Sequence, residues 1–142
     1  MIGMTNAVGG NGELNTSSMP IAFWYGTTAN TSSTWTVGTT QAQSYNNEYF
    51  SYSGGVFTFK KAVTVNIYGR GLGTHTSNGQ GVTLQWRISK NGNSNVLANG
   101  SGGGSTTDSA TATFAVGDRI AIYGKASLNG RCSMTMAIRL PQ

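Results

Sequence analysis

From Val82 to Leu140 apolar and polar residues alternate with a period of two, interrupted by short runs rich in glycine and asparagine. Val82, Leu84, Trp86 and Ile88 share one face of a strand, with Thr83, Gln85, Arg87 and Ser89 on the other. The alternation returns at Ala110, Ala112 and Phe114, at Ile120 and Ile122, and at Met134, Met136, Ile138 and Leu140. Strands that bury one face and wet the other belong to antiparallel sheets. The expected fold is therefore all-β, a two-sheet antiparallel sandwich or barrel.

Upstream, Ile21, Phe23 and Tyr25 alternate with Ala22 and Trp24 and are expected to form a first strand with the former set inward. Gly26 to Thr40 reads as a long Thr/Ser-rich connection carrying Trp35, and Tyr45 to Tyr52 as an extended aromatic segment. Phe57 and Phe59 precede a strand with Val63, Val65 and Ile67 on one face and Thr64, Asn66 and Tyr68 on the other. The Asn91-Gly92 dipeptide tolerates positive φ and closes a hairpin onto Val96-Leu97-Ala98. The run GSGGGS at 100–105 reads as a mobile loop between patterned strands. Residues 1–19 carry too little apolar surface for a core and are expected to form an N-terminal arm, with residues 20–142 as one β domain. A chain of 142 residues buries roughly two-thirds of its unfolded surface, enough for a sandwich without disulfides.

In order along the chain, YFSYSGGVFTFKKAVTVNIYGRG, VTLQWRISKNGN, ATATFAVGDRIAIYG and CSMTMAIRL resemble the jelly roll of the complement globular head and tumour-necrosis-factor superfamily. Phe57, the Lys61-Ala62 corner, Lys90-Asn91-Gly92, Val116-Gly117-Asp118 and the strand Met134 to Leu140 carry the likeness, which runs from Tyr49 onward. Val63 stands where that family usually has glycine, and the first forty residues match poorly. The resemblance implies ten or so short strands in two sheets and a threefold-symmetric homotrimer. Tyr68, with Thr135 and Ala137, is the expected trimer interface.

Charge and chemistry narrow the function. Nine Lys/Arg against four Asp/Glu give a net charge of +5, but only Lys60 and Lys61 are adjacent, so scattered solubilising charge outweighs nucleic-acid binding. Of the acids Glu13, Glu48, Asp108 and Asp118 no two lie close in sequence, and His75 and Cys132 are single. Neither a carboxylate pair nor a metal-ligand cluster follows from that inventory, so catalysis, metal and cofactor are not expected. Asp118 reads as a turn residue bonding backbone amides, and Cys132 as a buried thiol. The start MIGMTNAVGGNGELNTSSMP has neither a charged beginning nor an apolar run, and no 18-residue apolar stretch occurs, so neither general secretion nor membrane insertion is expected.

These features together suit a non-enzymatic virion protein, a trimeric jelly roll of a bacteriophage that decorates the capsid or heads a fibre. Its expected partners are its own copies, other virion proteins and a host-surface glycan. A lectin-like head of a bacterial surface adhesin is the alternative. Trp24 and Trp35 are expected to contact partners or ligand, whereas Tyr45, Tyr49 and Tyr52 read mainly as core. Ile2, Met4, Val8 and Leu14 would dock the arm on a neighbouring subunit.

Overall fold

The computed structural model describes residues 19–28, 34–74, 79–127 and 132–141. The arm residues Ile2, Met4, Val8 and Leu14, together with Glu13 and His75, lie outside the described residues. Among the described residues there are eleven strands: β1 (Pro20–Thr27), β2 (Thr36–Val37), β3 (Thr39–Tyr45), β4 (Phe50–Ser53), β5 (Val56–Phe59), β6 (Val63–Gly73), β7 (Leu84–Lys90), β8 (Val96–Gly102), β9 (Ser105–Phe114), β10 (Arg119–Ala126) and β11 (Cys132–Arg139). They form two antiparallel sheets, one ordered β3-β1-β11-β6-β9 and the other β4-β5-β10-β7-β8, with β2 pairing β10. This is the expected two-sheet jelly-roll sandwich.

The alternation seen in the sequence builds the core. Leu84, Trp86 and Ile88 from β7, Ile120 and Ile122 from β10, Val65 and Ile67 from β6 and Met134, Met136 and Ile138 from β11 are all buried between the sheets. Phe50, Phe57, Phe59 and Phe114 close one end, with the Phe59 and Phe114 rings stacked at 4.0 Å. Two glycine clusters accommodate the largest side chains. A Cβ at Gly100 would lie 2.5 Å from the Trp86 indole nitrogen, and Cβ atoms on Gly69 and Gly71 of the facing sheet would also collide with that ring. Trp24 is crowded in the same way by Gly26 and Gly38. Each buried indole also finds an acceptor, Trp24 Nε1 donating to Thr40 Oγ1 at 2.9 Å and Trp86 Nε1 to Thr106 Oγ1 at 2.8 Å.

Four expectations are corrected. The faces of β1 are inverted: Trp24 is fully buried, so it is not a partner contact, while Phe23 is half-buried and Tyr25 exposed on the outer face. A register irregularity between Pro20 and Ala22 lets Ile21 and Ala22 both turn inward, and the alternation restarts from Ala22. The Thr/Ser-rich connection contains β2 and the start of β3, an edge strand exposed along almost its whole length. GSGGGS is mostly strand, because β8 runs to Gly102 and β9 begins at Ser105. Among the aromatics read as core, Tyr49 and Tyr52 are half-buried and pack against it as expected, whereas Tyr45 is 38% exposed.

The sandwich has two distinct ends. Pro20 pairs with Arg139, so the described chain enters and leaves at one pole. At the other pole Thr28 N donates to Cys132 O, Gly73 N to Gly104 O and Ser127 N to Thr83 O.

Candidate functional site

The acidic residues within the described regions serve turns and surface pairs. Asp118 Oδ2 accepts from Ala115 N at 2.8 Å and Oδ1 from Asn91 Nδ2 at 3.0 Å, while Lys90 Nζ lies 3.4 Å away. Asn91 sits at φ 58° and also accepts from Arg119 N, so the β7–β8 and β9–β10 turns are locked together. The Ala115 amide, and after it the Asn91 amide, hold the Asp118 carboxyl below the ordinary carboxylate range. Glu48 pairs at the surface with Lys61, and Asp108 accepts from Asn99 N. Cys132 is buried, which pushes its thiol pKa up and disfavours the thiolate a nucleophile requires. Among the described residues no group of three or more His, Cys, Asp or Glu side chains could hold a metal ion. No helix there is long and apolar enough to cross a membrane.

Two surfaces remain, one on the outer face of each sheet. On the five-stranded sheet the register sets Ser44, Phe23, Ala137, Tyr68 and Ser109 in one row, and Ala42, Tyr25, Thr135, Arg70 and Thr107 in the next. Tyr25 and Tyr68 are 39% and 37% exposed, Phe23 and Thr135 are half-buried, and Ala137 is a small, nearly covered residue between Phe23 and Tyr68. The face is therefore aromatic at its centre and hydroxyl-rich at its margins. Tyr68, Thr135 and Ala137 are brought together there. Phe23 and Tyr25 join them, although sequence alternation had placed both inside.

The second surface centres on Trp35, half-buried just before β2. The Arg87 guanidinium carbon lies 3.8 Å from the centroid of its ring and Lys125 Nζ 4.8 Å from it. Arg87 and Lys125 project from the outer faces of adjacent strands β7 and β10, where Tyr123 is the register partner of Arg87 and Gln85 that of Lys125. Arg87 Nη1 also donates to Asn93 O at 3.0 Å, which fixes the guanidinium. Trp35 was legible as a surface aromatic. Its two cations were not, because only strand pairing brings them to one ring.

No protein-family profile and no curated protein matches this sequence. Solved structures do match in shape. The globular domain of the zebrafish complement 1qA protein is 16% identical, with 87% of this chain and 98% of that one covered and a TM-score of 0.51. Murine APRIL, at 14% identity, covers 84% of this chain and 98% of its own at a TM-score of 0.48. Pika GITRL, also at 14%, covers 85% and 98% at 0.49. The chain thus has the complement-head type of jelly roll that its sequence resembles.

Proposed function

We propose that this chain is a non-enzymatic head domain that assembles as a homotrimer on a virion, either decorating the capsid or heading a fibre. The observation that carries the trimer is the outer face of the five-stranded sheet. An outer face normally carries polar residues, yet this one presents Phe23, Tyr25 and Tyr68 around Ala137, the composition of an association core. Tyr68, Thr135 and Ala137 lie on its central strands, where a symmetric contact would bury them. The virion reading draws on the low share of charged residues, 9%, the single cysteine and the polar arm ahead of β1. If residues 1–18 make the attachment, the pole opposite the Pro20–Arg139 pair is the one that points away from the particle.

Light scattering on the purified chain tests the trimer: about three chain masses are expected, and Tyr68→Glu or Ala137→Arg should give folded monomers. A wild-type chain that stays monomeric at micromolar concentration overturns it. Labelled antibody against the chain, imaged on native particles and on host envelopes, tests the location. Label confined to the envelope would favour the adhesin alternative.

A further inference from the structure

We propose that Trp35, Arg87 and Lys125 form a binding site for a saccharide that carries one anionic group, a carboxylate or a sulfate ester. Two cations converge on one indole, and among the described residues neither pairs with a carboxylate. Like charges on diagonal positions of neighbouring strands repel, and the ring relieves only part of that cost. Lys90 and Lys61, by contrast, each have an acidic partner. A positive pair held in place without its counter-charge is set to receive an anion, and guanidinium and ammonium donors together suit a carboxylate or sulfate.

The surroundings select a sugar over a polyanion. Gln85 and Asn99, register partners of Lys125 and Arg87 through β7, are exposed on the same face and supply amide donors and acceptors for hydroxyl groups. The charge is local: Lys60 and Lys61 lie at the pole where the described chain enters, and Lys90 is occupied by Asp118. A nucleic acid would instead require a row of cations along its backbone. Trp35 precedes β2, whose Thr36 pairs with Gly124, and Lys125 is next to the end of β10, so the site sits near the pole away from the chain ends. It lies on the sheet opposite the proposed trimer face and so does not depend on trimerisation.

Ligand-observed NMR on the full chain, with 3′-sialyllactose, a sulfated lactose, neutral lactose and inorganic sulfate as separate probes, tests the site. At least one anionic sugar should bind, lactose should bind at least tenfold more weakly, and comparison of the two anionic sugars identifies the group. Lys125→Gln and Arg87→Gln should each weaken binding at least tenfold with unchanged melting temperatures, and Trp35→Ala should remove it. Because Arg87 also holds Asn93 O, Lys125→Gln decides the matter if Arg87→Gln folds poorly. The proposal is overturned if no anionic sugar binds, if Lys125→Gln leaves binding intact, if sulfate alone binds as tightly as the sugars, or if a single-stranded oligonucleotide binds more tightly than any of them. Repeating the titration on Tyr68→Glu separates the two claims: a folded monomer that binds as tightly as the wild type shows that the site works without the trimer, while the oligomeric state of the wild-type chain alone decides the trimer.

Discussion

Trp86 of β7 donates its indole N–H to Thr106 Oγ1 of β9 at 2.8 Å, so a side chain rooted in one sheet is hydrogen-bonded to the edge strand of the other. Trp86 is fully buried, and the bond satisfies the one polar atom its side chain brings into the core. Thr106→Val keeps the shape and removes the acceptor. It should destabilise the fold by about 1–3 kcal/mol, the cost of an unsatisfied buried donor, as read from the midpoint of urea denaturation. A variant of wild-type stability would mean that the indole finds another acceptor.

The same ring explains an expected intolerance at Gly71. A Cβ there would run into Trp86 and would lie 2.9 Å from Leu84 Cδ2, and neither buried side chain has room to withdraw. Gly71→Ala should therefore lose about 1–3 kcal/mol through overpacking, although alanine is ordinarily no worse than glycine in a strand. Combining it with Trp86→Phe should recover part of the loss in a double-mutant cycle.

Acid should weaken the turn clamp in a defined window. Asp118 has a depressed pKa in the folded chain, so its stabilisation is present above the unfolded carboxylate value and is lost as pH falls through the folded one. Melting temperature should be flat in this respect from pH 7 to about pH 4 and fall below that. In Asp118→Asn the melting temperature should be lower at pH 7, and the difference from wild type should shrink in acid. A difference that stays constant to pH 2 would assign the effect to packing.

Removing residues 1–18 should leave the melting transition unchanged, because the sandwich core begins at Ile21 and Met19 is 62% exposed. Under the proposed attachment the same truncation abolishes incorporation into particles. Full incorporation of the truncated chain would move attachment to the β domain, with Trp35 the next residue to alter.

What was legible followed the alternation. Strands β6, β7, β10 and β11 were readable because Val65 and Ile67, Leu84 to Ile88, Ile120 and Ile122, and Met134 to Ile138 repeat at period two and all point inward. The Asn91-Gly92 turn and the Asp118 turn were readable because their chemistry is local. Strand β3 was missed because Thr39–Tyr45 is an edge strand, wet on nearly every residue, and carries no apolar period. Strand β1 was placed but turned over. Phe23 and Tyr25 are as apolar as core residues, and only the register irregularity after Pro20 tells which set faces in. The glycines at 100–105 suggested a loop because glycine is rare in strands. Here Gly100 lies in β8 because Trp86 leaves no space for a side chain. The Trp35 surface was half visible: the tryptophan stood out in a polar segment, but Arg87 and Lys125 are 38 positions apart in the chain and meet only through the β7–β10 pairing.

The pairing of Pro20 with Arg139 also has a modular consequence. A domain whose two ends share a pole hangs from its host like a pendant. It could be spliced into a surface turn of another protein through two short linkers, without splitting that host apart and without covering the far pole. Closing the two ends with a short linker and reopening the chain between Gly103 and Gly104, where β8 gives way to β9, would make a circular permutant that leaves every sheet pairing intact.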